Sequence, residues 1–255
     1  LELRRRGIDA RSLLQELDLP TDIPASHELF VASTAIYELV ERSAELADDQ
    51  FLGFAIGSAL DMKAWDPIAT ATERASSVGE LLTMFSVNAA EHSTATRFYL
   101  KTDGERSMFG FERVKKPPFR PRQNDAFYMG FMSRLLKQAT RDRWDASRVL
   151  FSVADPECVP ANREAYRVTV GGRSGVKITF PSQWLFERFE KSEFDAGENK
   201  EVSGDIPQSL VESVRAALRP HLQDNGLTAA KAARICGYDR RRLSRELREQ
   251  GTTLS

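Results

Sequence analysis

The chain has 255 residues, 41% hydrophobic and 29% charged, as in an ordinary globular protein, and it is long enough for one large domain or a large domain plus a small one. Its 36 Lys and Arg nearly cancel 37 Asp and Glu, so net charge makes no case for nucleic acid or an anionic membrane, and any such case must be local. The isolated Cys158 and Cys236 and the scattered His27, His92 and His221 offer neither a disulfide framework nor metal-ligand spacing, so no metal, no cofactor and a reducing, cytoplasmic setting are expected. No run of about 18 apolar residues occurs, so no transmembrane helix and no membrane partner are expected.

The first third reads as helices. "DARSLLQELDLP" puts Leu13, Leu14 and Leu17 on one face and stops at Pro20. "STAIYELVERSAELA" repeats the pattern with Ile36, Leu39, Val40 and Leu46, and "DDQFLGFAIGSAL" is apolar almost all round, as a buried helix is. "SVGE", residues 77–80, matches a capping box ahead of Leu81, Leu82 and Phe85. The character then changes. "TATRFYLKTDGERSMFGFERV" is a pair of β-prone runs around Asp103 and Gly104, a hairpin signal. "NDAFYMGFMSRLLKQA" returns to helix, "RVLFSV" and "GVKITF" read as strands, and "PSQWLFERFE" reads as a short helix with Pro181 near its start. The fold class is therefore α+β: N-terminal helices packed with an antiparallel sheet.

"KSEFDAGENKEVSGD", residues 191–205, is polar and carries Gly197 and Gly204; it is either a linker or a long surface loop. Beyond it the pattern is purely helical. The expected division is thus 1–190, a linker at 191–205, and a small all-helical helix-turn-helix segment at 206–255.

That last segment carries the functional signal. "IPQSLVESVRAALRPHL" has Leu210, Val211, Val214 and Leu218 facing inward. In "LTAAKAARICGYDRRRLSREL", Thr228 can cap a helix of small residues that ends at Gly237, and Asp239 can cap the next. On the second helix Leu243 and Leu247 face inward, while Arg241, Ser244, Arg245 and Arg248 lie on the opposite side. Small Ala233 would let the two helices approach. A helix-turn-helix presents such a polar face to the major groove, where arginine can bond guanine bidentately or a phosphate. One alternative is an arginine-rich, solvated helix in an α-hairpin, its charges offset by Glu246 and Glu249; another is a ligand-binding or enzymatic domain whose arginine-rich helix docks to an acidic protein partner.

"LTAAKAARICGYDRRRLSRELREQGTTL" resembles the first helix-turn-helix of the AraC/XylS transcription regulators, down to Gly237 and the closing Gly-Thr-Thr-Leu. Upstream, "RRGIDARSLLQELDL", "SVGELLTMFSVNAAEHSTATRFYL" and "KITFPSQWL" resemble the arabinose-binding-like effector domain found in that family. The resemblance implies a DNA-binding transcription factor, not an enzyme, whose N-terminal domain senses a small molecule and dimerises. Its partners would be a double-stranded DNA operator, an unidentified effector and RNA polymerase. It places base reading on Arg241, Ser244 and Arg245, and phosphate contact on Arg240, Arg242 and the start of the helix at Thr228. It names no effector residues. The family carries two such units joined by a long helix, so a chain that begins at Leu1 and ends at Ser255 is expected to be part of a longer protein.

Two stretches carry weaker signals. "GGRSG", residues 171–175, lacks the spacing of nucleotide-binding fingerprints and reads as a connection between strands rather than an anion-binding loop. "KKPPFRPRQND" gathers Lys115, Lys116, Arg120 and Arg122 beside prolines; it reads as a solvated loop before a helix rather than a carboxylate pocket. No serine has a base at recognisable spacing, and no catalysed reaction is expected.

Overall fold

A computed structural model describes residues 2–21, 31–160, 166–188, 207, 209–224 and 226–254. The candidate linker at 191–205 and His27 lie outside the described residues. The helices and strands follow in chain order. Helices α1 (Glu2–Arg5), α2 (Arg11–Glu16), α3 (Ser33–Leu46), α4 (Leu52–Ala59), α5 (Asp66–Arg74) and α6 (Val78–Ala90) come first. Strands β1 (Thr96–Asp103) and β2 (Arg106–Arg113) lead into helix α7 (Arg122–Thr140), then β3 (Leu150–Val153), β4 (Arg167–Val170) and β5 (Gly175–Pro181). Helices α8 (Leu210–Leu218), α9 (Ala229–Ile235) and α10 (Arg240–Glu249) close the chain. The class is α+β. The chain forms two compact units, Ala44–Glu201 and a second that joins Leu1–Ser43 to Val202–Ser255.

Within Ala44–Glu201, one five-stranded sheet runs in the order β1-β2-β5-β3-β4. The hairpin forms where the sequence places it. Asp103 faces Arg106 in register, so the loop is residues 104–105. Gly104 takes φ +56°, which a two-residue hairpin loop needs at its first position and a side chain would resist. β2–β5 and β5–β3 are antiparallel, but β3 and β4 pair in parallel, Leu150 facing Arg167. The sheet is therefore mixed rather than wholly antiparallel. The thirteen residues between these two strands are enough chain for a crossover, which a tight turn is not. β4 is short and largely exposed at the edge, so its pattern carries little of the alternation that marks a strand.

Helices cover one face of this sheet. Phe85 from α6, Phe98 and Phe109 from the hairpin, and Phe131 from α7 meet edge-on or tilted, Phe85 to Phe98 at 4.8 Å and Phe85 to Phe131 at 5.6 Å. Trp65 closes the cluster against Phe131 at 5.0 Å. α4 lies directly on α7: a Cβ at Gly57 would run into the Phe127 carbonyl, so only glycine permits this approach. Gln123 stitches the pair, its Oε1 accepting from Gly53 N at 2.8 Å and its Nε2 donating to the Gln50 carbonyl at 2.9 Å.

Two local expectations are refined. Ser77 does cap α6, accepting from Glu80 N at 3.3 Å. The reciprocal arm reaches one residue further, with Glu80 Oε2 accepting from Ser76 N at 2.8 Å and Ser76 Oγ at 2.7 Å. These bonds hold the Glu80 carboxyl below its ordinary range. "PSQWLFERFE" does not form an α-helix: Pro181 ends β5, and Ser182–Phe186 is a single 3₁₀ stretch whose Trp184 stacks on Phe180 at 6.1 Å.

Candidate nucleic-acid interface

The candidate interface is built in the unit that joins Leu1–Ser43 to Val202–Ser255. α8 starts with a full capping box, Ser209 and Glu212 each bonding the other's backbone N–H at 3.2 Å. Its Ser-x-x-Glu spacing is legible in the sequence as "SLVE". Val214 and Ala217 of α8 then join Ala233, Ile235, Cys236, Leu243 and Leu247 in one small buried cluster.

The turn between α9 and α10 follows from glycine chemistry. Gly237 takes φ +68°, the left-handed conformation that ends a helix at little cost when no side chain is present. Tyr238 N donates to the Ala233 carbonyl and Gly237 N to the Arg234 carbonyl, both at 2.8 Å, which is the six-to-one and five-to-two pattern of a Schellman motif. Ala233 is buried there and its small side chain leaves room for α10. Asp239 restarts the chain: its Oδ1 accepts from Arg241 N at 2.9 Å and Arg242 N at 3.3 Å. At the other end of the supporting helix, Thr228 caps α9 by accepting from Lys231 N at 3.2 Å, and it is exposed.

α10 is two-faced. Leu243 and Leu247 are buried, while Arg240, Arg241, Arg242, Arg245 and Arg248 are exposed and Ser244 is half-buried between them. The arginines are not equivalent. Arg242 Nε donates to Glu246 Oε1 at 2.6 Å, and its guanidinium lies over the Tyr238 ring at 5.6 Å. Glu246, by that hydrogen bond and then by its charge, raises the Arg242 pKa above its ordinary value. Burial first, then the Glu246 charge, raises the Tyr238 hydroxyl likewise. Arg245 stands at 4.0 Å from Glu249, an exposed and loose pair. Among the described residues, the guanidiniums of Arg240, Arg241 and Arg248 have no carboxylate partner. The five sequence-predicted residues of α10 thus share one helix, with Arg242 partly spent on its own neighbours. Arg248 belongs with them: it sits seven residues after Arg241 on the same outward face.

The supporting helix is also tied to the first residues of the chain. Arg234 pairs with Asp18, and Lys231 lies at 3.1 Å from Asp224 and 3.9 Å from Asp18. Asp18 itself takes φ +52° just after α2. Among the described residues, no group of His, Cys, Asp and Glu is placed to hold a metal, and no helix is long and apolar enough to cross a membrane.

Comparison with known proteins places this chain among transcription regulators. Residues 7–189 match the family described as the arabinose-binding domain of AraC transcription regulators, N-terminal. The chain belongs to that family. Among solved structures it is similar to the transcriptional regulator CdpR from Pseudomonas aeruginosa, with 16% identity, a TM-score of 0.39, and coverage of 86% of this chain and 78% of that one. No curated protein matches the chain.

Proposed function

We propose that this protein is a DNA-binding transcription regulator in which α9 and α10 form a helix-turn-helix and the Ala44–Glu201 unit senses a small molecule. The observation that carries the reading is the outward face of α10. Arg241, Arg242, Arg245 and Arg248, with Ser244 among them, stand opposite two buried leucines, on a helix set off from its neighbour by a glycine turn. Arg241 and Arg245 are the base-reading pair, one turn apart, with Ser244 between them. Arg240 acts on phosphate, as does Arg248, while Arg242 and Thr228 contribute at the edge of the contact. The protein acts in the cytoplasm as a two-fold dimer on two half-sites and works with RNA polymerase at its promoter. The effector shifts the balance between DNA-competent and DNA-incompetent arrangements by binding one better than the other.

The test is a titration of the protein against operator and scrambled DNA at several salt concentrations. Arg241→Ala or Arg245→Ala should cost about 1–3 kcal/mol on the operator and relax preference at one base position. Arg240→Ala should weaken both DNAs alike and lower the salt slope by about one unit. If Arg241→Ala and Arg245→Ala both leave operator preference intact, α10 is not the reading helix, and docking to an acidic protein surface becomes the better account.

A further inference from the structure

The two arginine-bearing stretches that read as ordinary loops, 115–122 and 171–175, meet in space. They form the rim of a cleft of about 500 Å³ within the Ala44–Glu201 unit, a volume in the range of small-molecule sites. We propose that this cleft, lined by Phe119, Arg120, Ala154, Val170, Gly172 and Arg173, binds a small organic acid through its carboxylate. The proposal rests on the reading of this unit as the sensing part of a regulator, and it assigns the site and the ligand class.

The cleft is braced from below by a buried ion pair. Arg113, at the end of β2, pairs with Asp125 in the first turn of α7, both side chains being wholly buried. Arg113 Nη1 donates to the Arg173 carbonyl at 3.3 Å, and Arg113 N donates to the Ser174 carbonyl at 2.6 Å. Asp125 Oδ2 accepts from Ala154 N at 2.8 Å. One charge pair therefore positions backbone on two sides of the cleft, the 171–174 loop and the end of β3. The third side, at residues 118–120, is tied to the 171–174 loop, since Arg173 Nη1 donates to the Pro118 carbonyl at 2.7 Å. Such bracing fixes the rim before any ligand arrives, which spares the ligand the cost of ordering it.

The charge balance inside the cleft is positive. Arg113 is neutralised by Asp125. Asp155, next along the chain to Ala154, is engaged by Arg122 at 3.1 Å. The guanidinium of Arg120 has no hydrogen bond or ion pair among the described residues, and Arg173 uses one of its five N–H donors on Pro118. Two exposed guanidiniums on a concave, partly apolar wall are a receptor for an anion, and the planar fork suits a carboxylate. Phosphate is the poorer fit. A phosphate loop offers consecutive backbone N–H groups, whereas Gly171 N is already committed to the Val153 carbonyl at 2.6 Å. Phe119, Ala154 and Val170 supply apolar contact for a short hydrocarbon body.

The test uses the full chain and no DNA, so a failure of DNA binding cannot be mistaken for its failure. Calorimetric titration with cyclohexanecarboxylate is compared with the neutral cyclohexanecarboxamide and with cyclohexyl phosphate. The carboxylate should saturate one site with a Kd of roughly millimolar order, with the amide about tenfold weaker or undetectable. Arg120→Gln should weaken the carboxylate about tenfold and leave the thermal unfolding midpoint where it was, since Arg120 holds no other group. Arg173→Gln should weaken binding too, but it also releases Pro118, so Arg120→Gln is the deciding variant. Equal binding of acid and amide, no saturable binding of the acid, tighter binding of the phosphate, or unchanged affinity in Arg120→Gln would each overturn the assignment.

Discussion

Replacing Asp125 by Asn tests the buried charge pair that supports the cleft. The carboxylate accepts from Arg113 Nη2 and from Ala154 N, and the same Nη2 also donates to Asn124 Oδ1 at 2.8 Å. The Arg113 guanidinium further sits over the Phe111 ring at 5.1 Å. Asp125→Asn keeps the shape of the side chain but leaves that guanidinium buried without its counter-charge. Losing one partner of such a pair costs about 3–5 kcal/mol, a large share of the roughly 5–15 kcal/mol that holds a domain together. The double change Arg113→Met with Asp125→Leu removes both charges, and it should unfold within about 1 kcal/mol of the parent or later. Urea unfolding followed by tryptophan fluorescence reads both variants. A cost under about 1 kcal/mol for Asp125→Asn, or a double variant as damaged as the single one, would refute the reasoning.

Three further outcomes are expected. Leu243→Ala, at a wholly buried position in a small cluster, should cost about 2–5 kcal/mol in thermal unfolding of the α8–α10 region followed by circular dichroism; a loss under about 1 kcal/mol would show that α10 does not depend on that contact. Gly237→Ala and Gly251→Ala both force an L-residue into positive φ, at about 1–2 kcal/mol, but only at 237 would the new Cβ meet the Thr34 side chain, so Gly237→Ala should cost more and adding Thr34→Ala should recover most of the difference, the Ala32 Cβ remaining at 3.2 Å. Equal costs would mean that Thr34 does not sit against the turn. Limited proteolysis should cut first in the polar stretch 191–205, and the two fragments should co-elute under native conditions because Leu1–Ser43 packs with the C-terminal helices; fragments that separate would count against that unit.

Much of the secondary structure was legible because its causes are local. Gly237, Asp239 and the leucines at 243 and 247 mark the turn, the cap and the buried face of α10 within eleven residues of each other, and the structure uses each as read. The same holds for the Gly104 hairpin and the Ser77 cap. Caps, turns and helical faces involve neighbours a few residues apart, so residue type and spacing suffice to specify them. What the sequence left undecided involves chain that must travel. β4 joins β3 in parallel only after a crossover, and its exposed edge carries no alternation to announce it. The first 43 residues join the C-terminal helices from the far end of the chain, through Asp18 and Arg234. Arg113 and Asp125 look like two of many charges until β2 and α7 bring them together out of water. Arg120 and Arg173, each in a loop that alone reads as solvated, become one anion-facing cleft only because the Arg113–Asp125 pair holds the backbone of both β3 and the 171–174 loop. Burial turns an ordinary charge into an anchor, and burial is a property of the packed chain, not of the residue.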